Sequence, residues 1–283
     1  MAYGVQTVND FVLPSTSQSE NTTQLDTLIF TDLISTPSPS TTSPASGGVW
    51  FGAVGTGSSI TSNSTTAFTA FGIGNANGTV TLATGTTNNA TGYGALQTSL
   101  AILPGIPTPS SGLVTKYEAE CLIRTESTIH SNTVRGYYRF GFMDLMQSTT
   151  DGVYLEFICN GTLTDTTWNV VFRKDNSQER VDTTVTVSAS KTYRLYLCVE
   201  VNSSGTYTTT YKVKNVTDNT GVESTAAPSN AATYYPAASG DYMGAALVSS
   251  KTVTATTTSI SLYADYVAAR IRRPVSREIL IYT

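Results

Sequence analysis

Residues 193–201 read Tyr193-Arg-Leu-Tyr-Leu-Cys-Val-Glu-Val201, and residues 117–123 read Tyr117-Glu-Ala-Glu-Cys-Leu-Ile123. In the first run Tyr193, Leu195, Leu197, Val199 and Val201 alternate with Thr192, Arg194, Tyr196, Cys198 and Glu200. In the second, Tyr117, Ala119, Cys121 and Ile123 alternate with Glu118, Glu120 and, one step on, Arg124. Successive side chains of a strand point to opposite faces, so period 2 with one apolar face marks antiparallel strands half open to water. Val181, Thr183, Val185 and Val187 repeat the pattern, as do Tyr207, Thr209, Tyr211 and Val213. Turn chemistry divides the runs at Asn160-Gly161, Asp175-Asn176 and Asn202-Ser-Ser-Gly205.

Outward from these runs, residues 67–73, 79–83, 92–97, 259–270 and 278–282 are shorter strand candidates. Residues 101–112 hold three Pro and read as a loop, and residues 217–240, with Pro228 and Pro236, read as a longer polar loop. Ten or more strands at this spacing predict an all-β, two-sheet antiparallel jelly-roll sandwich. Composition agrees. The 283 residues include 50 Thr and 31 Ser but only 13% charged side chains, about half the usual share. Thr and Tyr suit pleated surfaces, and the strong helix formers are scarce. One His and three Cys leave little for metal or nucleophile chemistry, which favours a structural or binding protein over an enzyme.

Charge is unevenly spread. The first 115 residues carry four acids (Asp10, Glu20, Asp26, Asp32) and no Lys or Arg. That stretch offers no electrostatic footprint for nucleic acid or an anionic membrane. The basic cluster Arg270, Arg272, Arg273 and Arg277 reads as a solvated strand edge or a set of salt bridges, with a phosphate or partner contact as the alternative. No signal peptide and no membrane span are expected, which fits synthesis in a reducing cytoplasm. Cys121, Cys159 and Cys198 sit in strand-like runs without CxxC spacing, as buried free thiols would.

Residues 1–48 read as an N-terminal arm with a Ser/Thr/Pro linker, and residues 49–283 as the sandwich with its C-terminal strand. Leu25, Leu28, Ile29 and Leu33 repeat at i, i+3, i+4 and i+8, which fits one face of a short helix; an extended strand fits nearly as well. Residues 35–48 are linker by composition. The apolar side chains Phe11, Leu13, Leu25, Leu28, Ile29, Phe30, Leu33 and Ile34 are the candidate anchors, holding the arm to other subunits or to a larger particle.

Gly141-Phe142-Met143-Asp144 followed by Asp151-Gly152-Val153-Tyr154-Leu155-Glu156 resembles a motif pair of the lectin-like jelly rolls in tailed-phage virion proteins. Trp168, the strand from Tyr193, the step Glu200 to Asn202, the turn at Thr84-Gly85-Thr86-Thr87 and Asp265-Tyr266-Val267 follow the same order, over residues 49–270. The resemblance implies a concanavalin-A-like sandwich in a head-fibre, decoration or tail protein. It implies a homo-oligomer, a trimer by preference, in contact with other virion proteins and located on the virion. The alternative is a carbohydrate- or receptor-binding module for host attachment, and a glycan depolymerase comes third. The family implies neither a catalytic set nor a cofactor.

Candidate site residues follow from chemistry. Glu118 and Glu120 share a strand face, and retaining glycosidases need two carboxyls about 5–5.5 Å apart; a solvent-facing strand edge paired with Arg124 or a Lys is the plainer reading. Asp144, Asp151 and Glu156 could brace a turn or contribute to a calcium site, which needs six to eight oxygen ligands. His130 lies in a polar loop and reads as solvated. Tyr137, Tyr138 and Trp168 are the aromatics able to stack on a sugar ring, or else they pack in the core or at a subunit contact.

Overall fold

Asp175 and Asn176 both adopt positive φ, 49° and 67°, the two-residue hairpin turn that follows the right-handed twist of its strands. The turn joins Thr167–Lys174 to Ser177–Thr186. At Asn160-Gly161, Asn160 Oδ1 accepts from the backbone N–H of Thr162 and Leu163 at 3.0 and 2.7 Å, while Gly161 takes φ 91°. The computed structural model describes residues 22–32, 50–63, 79–87, 91–98, 115–144, 149–202, 206–236, 243–252 and 257–276. Within them lie fifteen strands: β1 (Thr22–Asp32), β2 (Trp50–Val54), β3 (Ser59–Asn63), β4 (Thr79–Ala83), β5 (Tyr93–Thr98), β6 (Thr115–Thr125), β7 (Gly136–Met143), β8 (Gly152–Cys159), β9 (Thr167–Lys174), β10 (Ser177–Thr186), β11 (Thr192–Val201), β12 (Tyr207–Asn215), β13 (Thr220–Ala226), β14 (Gly244–Lys251) and β15 (Ser261–Ser276). The one helix among the described residues is the single turn α1 (Ala231–Tyr234), capped by Asn230 Oδ1. No helix among them is long and apolar enough to cross a membrane.

The strands form two antiparallel sheets, the expected jelly-roll sandwich. One runs β13-β12-β11-β6-β15-β4-β3, with β1 also on β15; the other runs β10-β9-β8-β7-β14-β5-β2. The core lies between them. Tyr117, Ala119, Cys121 and Ile123 of β6 and Tyr193 to Val201 of β11 meet Tyr138, Phe140, Phe142, Val153, Leu155, Phe157, Trp168, Val170 and Phe172 of the opposite sheet. Each fully buried large side chain contributes about 1.5–3 kcal/mol before ordering costs.

Several expectations change. All eight residues of β7, β8 and β14 are buried, so these strands are covered on both faces and not half open. Within residues 217–240, read as a loop, lie β13 and α1. β13 is an edge strand, exposed except at Ala226 and Val222, and so shows no apolar alternation. Residues 22–32, inside the stretch read as an arm, are extended: Thr22 to Asp32 pair with Ser276 to Tyr266 of β15. Leu25, Leu28, Ile29 and Phe30 therefore stand on a sheet strand and not on a helix. Phe11, Leu13, Leu33, Ile34 and the strand candidates 67–73 and 278–282 lie outside the described residues.

Candidate functional site

Opposite residues in an antiparallel ladder share a face, so the registers of the seven-stranded sheet can be read as rows across it. On the face turned away from the core one row is Gln97, Ala246, Gly141, Tyr154, Val171 and Arg180. The next is Ala95, Val248, Arg139, Glu156, Asn169 and Asp182. On the other side of the first row run Gly244, Met143, Gly152, Arg173 and Gln178. A small apolar cluster of Ala95, Tyr137, Met143, Tyr154, Ile158, Val171, Ala246 and Val248 forms its floor. Two glycines shape it. Gly141 has φ 144°, and a Cβ there would lie 2.7 Å from Tyr154 Cα. A Cβ on Gly152 would come within 3.0 Å of the Tyr154 ring, so its absence makes room for that ring.

Charge is set into this floor. Arg139 Nε donates to Glu156 Oε1 at 2.7 Å, and Arg180 bridges Glu156 Oε2 and Asp165 Oδ2. Asp165 also accepts from the Ile158 N–H at 2.8 Å, which ties the turn after β8 back to the strand. The Arg139 guanidinium lies 3.9 Å from the centroid of the Tyr137 ring and 5.2 Å from that of Tyr154, a cation–π sandwich. Burial works against the Arg139 charge, but Tyr154, Glu156 and Tyr137 hold its pKa above the ordinary value. Burial pushes the Asp165 carboxyl up, with the Ile158 N–H and Arg180 pulling the other way. Burial likewise raises the Tyr154 and Tyr137 phenols against the pull of Arg139.

Three polar atoms of this face have no hydrogen-bond partner although they are buried: Gln97 Nε2, Tyr154 Oη and Arg173 Nε. Arg173 nevertheless acts on Tyr154 both as a nearby charge and as a hydrogen-bonding neighbour of its hydroxyl, each pulling the phenol pKa down, although the contact is not a well-aligned bond. The remaining contact of the Arg173 guanidinium is Nη2 to Asn176 Oδ1 at 3.3 Å.

The residues singled out in the sequence fall elsewhere, with two exceptions. Tyr138 and Trp168 are fully buried inside the sandwich, in an aromatic chain that passes from His130 through Tyr138, Phe157 and Trp168 to Tyr193. Neither ring is open to a sugar. Tyr137 is on the outer face, but Arg139 covers it. His130 is not solvated: its ring packs 4.7 Å from that of Tyr138, Nδ1 lies 3.3 Å from Val134 O, and burial lowers its pKa to about 3. Glu118 and Glu120 are not at an edge, because β6 is flanked by β11 and β15. Glu118 accepts from Tyr196 Oη at 2.8 Å; Glu120 accepts from Arg194 Nε at 2.6 Å and from Tyr266 Oη. Arg270, in register with Glu118, is buried.

Asp144 braces its turn as expected, accepting from the Thr150 N–H at 3.0 Å, and Asp151 accepts from the Asp175 N–H at 3.1 Å. Glu156 faces Arg139 and Arg180 instead, so the three carboxylates do not converge on a calcium position. Among the described residues no group of three His, Cys, Asp or Glu side chains is placed to hold a metal. Cys121, Cys159 and Cys198 are free and buried, and burial pushes all three thiols up, Cys198 to about 12.

No protein-family model matches the chain, and no curated protein matches it. Solved structures do. A protein of unknown function, SO2946 from Shewanella oneidensis MR-1, aligns with a TM-score of 0.56 at 14% identity, over 98% of this chain and 96% of that one. Peanut lectin aligns at 0.48 and 11% identity, over 89% of this chain and 100% of its own. The CBM2 module of the evolved Dit of Lactobacillus casei BL23 phage J-1 aligns at 0.45 and 12%, over 87% and 96%. The first likeness is one of fold, and fold alone carries no chemistry across.

Proposed function

We propose that the chain is a non-catalytic glycan-binding module of a phage particle, with the sugar approaching the outer side of the seven-stranded sheet at β9, where Arg173 is partly exposed. The observation that carries this reading is the trio Gln97 Nε2, Tyr154 Oη and Arg173 Nε, buried on one face without partners. A buried polar group left unpaired costs about 1–3 kcal/mol, which ligand oxygens could offset. Sugars supply closely spaced oxygens together with a C–H face suited to aromatic floors such as Tyr154. The test is a glycan array probed with the full chain, followed by titration of Tyr154→Phe, which removes one oxygen that makes no well-aligned hydrogen bond in the free protein. Selective binding, weakened about tenfold by Tyr154→Phe without loss of thermal stability, is the expected result. An array with no binding overturns the reading.

The particle half of the proposal is supported by the motif order over residues 141–156 and by β1, which among the described residues pairs on one side only, along β15. Such an edge can accept a strand from a neighbouring chain. Negative-stain images of phage particles with an antibody to this chain test it; unlabelled particles would remove the virion from the account.

A further inference from the structure

β13 is the last strand of the eight-stranded sheet and, among the described residues, pairs on one side only, along β12. Its register runs without a shift from Thr220 opposite Asn215 to Ala226 opposite Thr209. Residues 220–226 read Thr-Gly-Val-Glu-Ser-Thr-Ala, with no Pro, no Lys and no bulge, the devices by which edge strands refuse a neighbour. β10, the edge of the other sheet, lies against β13 and is built differently. Between Asp182, opposite Asn169, and Thr186, opposite Thr167, three of its residues face one of β9. Thr184 in that bulge takes φ 65°, and its N–H donates to Asp182 Oδ1 at 2.7 Å. The bulge bends β10 away from a straight ladder, and the carboxylate occupies one of its donors. One edge on this flank is closed and the other is open.

Charge shows what fits the open edge. Lys212 and Lys214 are exposed on the outer face of β12, with Val213 buried between them. Lys212 faces Glu223 across the ladder and pairs with it at 2.9 Å. Lys214 faces Gly221 on one side and Arg194 on the other. Arg194 is taken by Glu120, and among the described residues Lys214 has no carboxylate. Gly221 keeps the way past it clear, since a Cβ there would lie 3.3 Å from Lys214 Cβ.

We infer that β13 joins β13 of a second copy of this chain, antiparallel about a two-fold axis through Val222, so that the two eight-stranded sheets become one. Val222 then stands opposite its own copy, Thr220 opposite Ser224, and Gly221 opposite Glu223. Opposite residues share a face, so Glu223 of the second copy comes over Gly221 to Lys214. The two-fold axis repeats the contact, which places an ion pair on each side of the centre. Centring the pair on Glu223 instead would set two carboxylates opposite each other, at a cost. Such an interface is isologous and closes at two copies, a dimer where the resemblance implies a trimer. It does not depend on glycan binding.

The test is sedimentation velocity of the full chain over a range of loading concentrations. The expected result is a monomer–dimer equilibrium that weakens as salt is raised. Lys214→Glu and Glu223→Lys each weaken the dimer at least about tenfold, and the double variant, with opposite charges restored across the seam, recovers it to within about threefold. Both side chains are exposed, so the fold is retained, with circular dichroism as the control. Cross-linking supplies the register: Val222→Cys, oxidised under native conditions, links two copies and Thr220→Cys does not, while the three native thiols stay buried. A chain that stays monomeric at every concentration, or an association indifferent to the single swaps, overturns the inference. So does a double variant no tighter than the single ones, or a Val222→Cys chain that links no better than Thr220→Cys.

Discussion

His130 should make this protein acid-sensitive well above the pH at which carboxylates titrate. Its imidazole is 1% exposed, packed against Tyr138, with Nε2 buried and unpaired. Burial holds the folded-state pKa near 3, assisted by the charge of Lys251 and opposed by the Val134 and Tyr137 backbone. In the unfolded chain the group returns to about 6.5. Because the folded value is the lower one, the unfolded state binds the proton first, and stability is lost as pH falls below 6.5 toward 3. Each unit below 6.5 costs about 1.4 kcal/mol, so moving from pH 7.5 to 4.5 costs about 2.7 kcal/mol from this residue alone. That is a large part of the 5–15 kcal/mol typical of a domain. Asp165 works in the opposite sense, since its folded pKa is raised, so the whole-protein slope is not the test. The comparison is urea unfolding, followed by the fluorescence of buried Trp168, for the native chain and His130→Gln at both pH values. The native chain should lose about 2.7 kcal/mol more than the variant over that interval. A difference below about 1 kcal/mol, outside extrapolation error, would mean that His130 meets water and that the packing around it is wrong.

Gly141→Ala should destabilise by about 1–3 kcal/mol from backbone strain, and further from contact with Tyr154 and Leu197, read as a lowered melting temperature with β structure retained. Glu156→Gln leaves the buried Arg139 without its carboxylate, while Arg180 keeps Asp165, and should cost about 3–5 kcal/mol in urea unfolding. Glu223→Gln, which breaks the exposed pair with Lys212, should cost about 0–1 kcal/mol by the same measurement. Cys121, Cys159 and Cys198 should react with a thiol reagent only in denaturant, since burial keeps each thiol protonated and out of reach.

The strands were legible wherever one face alone is apolar. β6, β11 and β12 show this, because their outward positions carry Glu, Arg, Lys and Thr against an unbroken inward series. What one strand cannot reveal is its place in the sheet. Glu118 and Glu120 looked like edge residues because nothing near them in sequence covers them; β11 and β15, which do, arrive some 75 and 150 residues later. His130 was read as solvated because Ser127, Thr128, Ser131 and Asn132 surround it in sequence. Its burial comes from Gly136, where any Cβ would fall 2.3 Å from the imidazole, and from the Tyr138 ring.

The outer face of the seven-stranded sheet was partly legible in the sequence. Tyr137 and Tyr138 are consecutive on a strand and must point to opposite faces, so both could never stack on one ligand. The same holds for Trp168, inward, beside Asn169, outward. The motif at 141–156 also fixes a hairpin: joining β7 to β8 through the turn that Asp144 braces sets Phe142 against Val153, and therefore Arg139 against Glu156 and Gly141 against Tyr154. From that register alone the buried ion pair and the close approach of Gly141 to Tyr154 follow. Gln97 does not follow, because β14 is inserted between β5 and β7 from nearly 150 residues downstream, and no local pattern signals that insertion. Arg173 beside Tyr154 across Gly152 belongs to sequential hairpins and was within reach of the sequence. The place of Gln97 was created by long-range pairing, and only the fold could supply it.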